Sequence, residues 1–89
     1  MVNRDLKIVN KLGMHARAAA KFVNLASTFE SEIELGKGGR MVNGKSIMGV
    51  MMLAASRGTS VSLRVEGSDE VEAADRLEEL VRQRFGEEE

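Results

Sequence analysis

Eighty-nine residues, 43% of them hydrophobic and 30% charged, describe one soluble globular domain with a single modest core. A net charge of −1 excludes the broad basic surface that sequence-independent nucleic-acid binding needs. With no cysteine and one histidine, a disulfide framework and a transition-metal centre are excluded, and no metal or cofactor is implied. The opening residues carry no long apolar run and no stretch is long enough to span a bilayer. No membrane insertion and a cytoplasmic location are therefore expected.

Leu6 and Ile8 alternate with Asp5 and Lys7, which predicts a first strand with one buried face. Asn10, Lys11 and Gly13 end it and form a loop that presents His15. The run Gly13-Met14-His15-Ala16-Arg17-Ala18-Ala19-Ala20 is the centre of the chain. A glycine two residues ahead of the histidine permits a sharp reversal, and the alanines behind it favour a helix. His15 is thus expected where the loop enters the helix, beside free N–H groups at the positive end of the helix dipole. That end disfavours further positive charge on the ring and keeps a neutral, nucleophilic imidazole available. Arg17 adds a planar cation suited to phosphate oxygens. A nucleophilic nitrogen beside two anion-stabilising features fits a histidine that carries a phosphoryl group. From these eight residues alone, a solvated histidine and a plain surface arginine are the commoner outcome.

Helix one is expected from Ala16 to Thr28, with Ala19, Phe22, Val23 and Ala26 as its buried stripe. Ala16 and Ala20 fall off that stripe. They leave a smooth surface beside Arg17 that suits a partner's close approach, or they are helix filler. Ile33 and Leu35 alternate with Glu32 and Glu34 as a second strand. The Gly38-Gly39 pair then predicts a tight hairpin into a third strand, Arg40 to Asn43, with Val42 inward. This glycine-rich stretch lacks the spacing of a phosphate loop and opens no helix.

Lys45-Ser46-Ile47-Met48-Gly49-Val50-Met51-Met52-Leu53 is the second informative stretch. Ser46 is placed to N-cap a short helix. The helix is apolar on nearly every side, and two turns on a small domain cannot bury their whole circumference. Val50 and Leu53 are expected in the core, with some of Ile47, Met48, Met51 and Met52 at the surface. Adaptable methionine suits a face that meets several partners. A wholly buried helix or a homodimer seam are the alternatives.

Ser60 to Glu66 alternate cleanly, with Val61, Leu63 and Val65 inward, and form the clearest strand in the chain. Asp69 is expected to N-cap a last helix, with Glu72 at the capping-box position. Its buried stripe reads Val71, Ala74, Leu77 or Leu80, Val81 and Phe85. Glu70 and Glu72 suit its first turn and Arg82 and Arg84 its last. Gly86 stops it, which leaves a domain over residues 1–86 and a frayed acidic tail, Glu87 to Glu89.

The order βαββαβα predicts an α+β two-layer open-faced sandwich: a four-stranded, mostly antiparallel sheet with three helices on one face. Gly13-Met14-His15-Ala16-Arg17, followed by Lys45-Ser46-Ile47-Met48-Gly49-Val50-Met51, resembles HPr, the histidine-containing phosphocarrier family of the bacterial sugar phosphotransferase system. The resemblance spans nearly the whole chain. It implies that His15 accepts a phosphoryl group on Nδ1 from phosphorylated enzyme I and passes it to IIA domains, assisted by Arg17. It implies Ser46 as the serine a dedicated HPr kinase/phosphorylase acts on, and Ile47, Met48 and Met51 as the apolar docking patch. It implies no enzyme activity of the chain's own, and a monomer is expected. The chain departs from the family at Ala18, where proline is usual, and at Asn24 and Ser27, where lysines are common. An RNA-binding sandwich would need aromatic residues on the open sheet face, and no tyrosine or tryptophan is present.

Overall fold

The computed structural model describes all residues from Met1 to Glu89. In chain order its elements are β1 (Val2–Lys7), α1 (Ala16–Ala26), β2 (Glu32–Lys37), β3 (Arg40–Asn43), α2 (Ile47–Met52), β4 (Ser60–Glu66) and α3 (Glu70–Arg82), with a 3-10 turn at Arg84–Gly86. The strands form one antiparallel sheet in the order β1-β4-β2-β3. This is the open-faced α+β sandwich that the element order predicts.

β4 lies inside the sheet, and its alternation sets the register on both sides. Val61 pairs with Leu6 of β1, Leu63 with Leu35 of β2, and Val65 with both Val2 and Ile33. These side chains share one face and build the core with Phe22 and Val23 of α1 and Leu77 and Val81 of α3. The opposite face stays polar, with Glu34 of β2 opposite Arg64 of β4. Gly38 and Gly39 both take positive φ, +60° and +82°, as a two-residue hairpin of this twist requires.

Helix boundaries differ from expectation where tertiary contacts intervene. α1 ends at Ala26, not Thr28, because Thr28 turns its N–H and hydroxyl back onto the Leu25 carbonyl. Val71 is not part of the buried stripe of α3: it is exposed, and Ala73 takes the core position beside Ala74. Asp69 precedes α3 but makes no side-chain cap there. Its carboxylate instead accepts from the N–H groups of Glu30 and Ser31 and from the Ser31 hydroxyl, holding the end of the α1–β2 loop. Glu72 does not complete a capping box; Glu70 accepts from the Gly67 N–H at 3.1 Å and pairs with the N-terminal amino group.

α3 stops at Arg82, so Arg84 is not in its last turn. Arg84, Phe85 and Gly86 all have positive φ, +58°, +56° and +80°. This reverses the chain, while Phe85 reaches the core from the turn and not from a helical stripe.

Candidate functional site

Gly13 fixes the loop before α1. Its φ is +67°, and a Cβ there would meet the Ala55 carbonyl oxygen at 2.7 Å and Ser56 Cα at 2.9 Å. Only glycine satisfies both the conformation and the close approach. Met14 is buried, and its N–H donates to the Ala55 carbonyl at 2.8 Å. The histidine loop is therefore tied to the segment that follows α2. The two motifs of the sequence meet through this seam.

His15 is the N-cap of α1, with extended backbone (φ −74°, ψ 178°). Its Nδ1 accepts from the Arg17 N–H at 3.3 Å. A ring nitrogen that accepts carries no proton, so this contact leaves the proton of the neutral ring on Nε2. Nε2 in turn meets the carboxylate of Glu87. The N–H of the exposed Ala16 has no intramolecular acceptor, as expected of a first helical turn. It leaves a donor for an anion close to the lone pair of Nδ1.

Arg17 is exposed, and its guanidinium makes no hydrogen bond or ion pair within the chain. It lines a shallow cleft with Lys11, Leu12, Glu87, Glu88 and Glu89. Ala16 is exposed and Ala20 half-buried, leaving low relief beside the imidazole. Ala18 is fully buried.

Ser46 N-caps α2, its hydroxyl accepting from the Gly49 N–H at 3.1 Å. Val50 and Leu53 are buried as expected. Ile47, Met48, Met51 and Met52 are exposed by 42%, 72%, 40% and 56%, so α2 is not a wholly buried helix. Leu12, in the histidine loop, is 68% exposed and extends the apolar surface.

Three contributors were not evident from the sequence. Asn10 is fully buried and donates to the Gly13 carbonyl at 2.8 Å and to Glu87 Oε1 at 3.1 Å. Lys21, one turn beyond Arg17, donates to the Phe85 carbonyl at 2.7 Å. Glu87 joins these to His15. The tail is not frayed here: it folds back over the loop, where the Lys11 N–H also donates to the Glu89 carbonyl at 2.6 Å. Burial alone would raise the Glu87 carboxyl above its ordinary range. The hydrogen bonds from His15 and Asn10, with the charge of Lys21, outweigh it and hold the group below that range.

The family described as "PTS HPr component phosphorylation site" matches residues 2–83. The chain belongs to the HPr family of phosphocarrier proteins. HPr of Cupriavidus necator is 54% identical over 87 residues, covering 98% of each chain. HPr of Neisseria meningitidis serogroup A is 51% identical, again with 98% of each chain covered. The crystal structure of an HPr from Thermoanaerobacter tengcongensis superposes with a TM-score of 0.96 at 48% identity, covering both chains completely. An HPr is a phosphocarrier of the phosphotransferase system and not an enzyme. No helix of this one is long and apolar enough to cross a membrane.

Proposed function

We propose that His15 accepts a phosphoryl group on Nδ1 from phosphorylated enzyme I and delivers it to IIA components of sugar uptake systems. The observation that carries this reading is the Nδ1 lone pair aimed at the first turn of α1. A phosphoryl group bound there brings its oxygens to the Arg17 N–H and the free Ala16 N–H, at the favourable end of the dipole. The unpaired Arg17 guanidinium is free to swing onto the same oxygens, a charge-assisted contact stronger than a neutral one. The protein supplies position and charge, which is most of what phosphoryl transfer asks of it.

Partners dock, on this reading, against Ala16 and Ala20 of α1 and Ile47, Met48 and Met51 of α2. Both groups flank the loop that carries His15. Ser46, at the edge of the α2 patch, is the regulatory site for an HPr kinase/phosphorylase. The protein works as a monomer in the cytoplasm, needing neither nucleic acid nor cofactor.

The test is incubation with phosphoenolpyruvate and enzyme I. An acid-labile mass increase of one phosphoryl group is expected in the native protein and none in His15→Ala. Phosphorylation of that variant to the native extent would remove His15 as the acceptor.

A further inference from the structure

Outside the docking surfaces, one group of residues has no role in the function as stated: the tail carboxylate of Glu87 and the structure that holds it. We propose that Glu87 is a positioning residue that keeps the imidazole proton of His15 on Nε2 throughout the phosphoryl cycle. The ring then attacks through a bare Nδ1 and later departs as neutral imidazole. The proposal rests on the reading of His15 as the phosphoryl acceptor.

The geometry specifies one tautomer from both sides. Arg17 N–H donates to Nδ1, so the proton does not sit there. An ionised carboxylate only accepts, so the group that meets it at Nε2 is the N–H. Glu87 is in turn fixed by the buried amide of Asn10, whose other contact is the Gly13 carbonyl of the same loop. Flipping that amide would set an oxygen against two acceptors, so its orientation is determined.

The chain also departs from its easy conformations to bring Glu87 here. Arg84 and Phe85 both occupy the left-handed region, which is unfavourable for a residue with a Cβ. Phe85 buried in the core and the Lys21 contact to its carbonyl hold the reversal in place.

The chemistry gives the proton its importance. On acceptance, the Nδ1 lone pair forms the new N–P bond while the donor's bond to phosphorus breaks and its electron pair stays with the donor. The phosphorylated ring retains Nε2–H and carries positive charge against the Glu87 carboxylate. On delivery the N–P bond breaks, its pair returns to Nδ1, and the phosphoryl group passes to the acceptor nucleophile. With Nε2–H in place the leaving group is neutral imidazole; without it, the leaving group is imidazolate, a far poorer one. Among the other charged groups around the cleft, Arg17 and Lys11 oppose positive charge on the ring, and Glu88 and Glu89 make no hydrogen bond or ion pair with it. Lys21 acts on Glu87 itself. Glu87 is the carboxylate that touches the imidazole.

The experiment uses the full chain with 15N-labelled histidine. In the unphosphorylated native protein the nitrogen shifts should report Nε2–H and a bare Nδ1; the opposite tautomer overturns the proposal. The protein is then phosphorylated with enzyme I and phosphoenolpyruvate, and loss of the Nε2 proton is followed against pH. In Glu87→Gln, whose amide both donates and accepts and carries no charge, that loss should occur about one pH unit lower. The alkaline limit of phosphoryl delivery should move with it. Glu87→Asp, which keeps the charge, should restore most of the difference. Amide spectra that match the native protein outside the tail establish that both variants are folded. If phosphorylated Glu87→Gln loses the proton at the native pH, Glu87 has no such role. Failure of the native protein to accept phosphoryl at all would instead overturn the reading of His15, and the tautomer measurement, which needs no enzyme I, tells the two apart.

Discussion

The Lys21 ammonium of α1 donates to the Phe85 carbonyl at 2.7 Å, joining the helix that begins at His15 to the turn that aims Glu87. The carbonyl belongs to a residue whose φ is +56°, outside any regular hydrogen-bonding ladder. Although Lys21 is exposed, its ammonium is committed to this contact. Lys21→Met keeps most of the aliphatic stem and removes the donor, so the expected loss is about 1–2 kcal/mol, near the lower end for a hydrogen bond from a charged group. Urea unfolding measures it. Amide exchange at Gly86 and Glu87 should quicken before the rest of the molecule responds, and native exchange at both would show that the clamp holds nothing.

Acid should weaken the fold through Asp69. Hydrogen bonds from the Ser31 hydroxyl and then from the Glu30 and Ser31 N–H groups hold its carboxyl below the ordinary value of 3.8. A depressed folded value means stability that is present above 3.8 and lost as pH falls through the lower folded value. Glu70 behaves in the same sense, held down first by the N-terminal amino group and then by the Gly67 N–H. Melting temperature should therefore fall steeply below about pH 4. Asp69→Asn should melt lower than the native protein at neutral pH and approach it in acid. Parallel curves across that range would remove Asp69 from the account.

Met48 and Met51 offer a separation of binding from folding. Met48 is 72% exposed and Met51 40%, so replacing either with serine opens no sealed cavity. Stability should change by no more than about 0.5 kcal/mol, as for other surface sites. Affinity for enzyme I should fall by about 1 kcal/mol or more per side chain, read by titration calorimetry. A marked drop in melting temperature with unchanged affinity would make these residues part of the core instead.

Ser46→Asp sets two electrostatic effects against each other. Aspartate can cap the helix as serine does, and the dipole of α2 favours its charge by roughly 0.3–1 kcal/mol. A partner docking on the same patch must desolvate that charge, at a cost of several kcal/mol. Melting temperature should hold or rise slightly while phosphorylation by enzyme I slows. An unchanged rate would leave Ser46 as a helix cap and nothing more.

Much of this architecture is legible in the sequence because it is local. Alternation over Ser60–Glu66 defines β4, and the apolar circumference of α2 gives away its exposed methionines. Gly13 and the alanine run place His15 at a helix start, where it lies. What the sequence conceals is long-range. Asp69 and Glu72 fit the capping-box template, but the Asp69 carboxylate is claimed by backbone donors 38 and 39 residues earlier. Val71 fits the apolar spacing of α3 by one registration and Ala73 with Ala74 by another, and only the packed sheet chooses. Glu87 carries no signal of its own within a run of three glutamates. The one hint is Phe85-Gly86, a large apolar residue before a glycine, which marks an anchored reversal.

The methionines of α2 also make the surface answerable to oxidants. Met48, Met51 and Met52 are exposed, whereas Met14, beneath the histidine loop, is only 5% exposed. Peroxide reaches the first three long before the fourth. Each sulfoxide replaces an apolar, adaptable side chain with a polar one and can be reduced back enzymatically. On the proposed docking role of this face, oxidative stress acts on partner binding while the core and His15 stay intact, and phosphoryl transfer through this carrier would slow and recover with the reducing capacity of the cell.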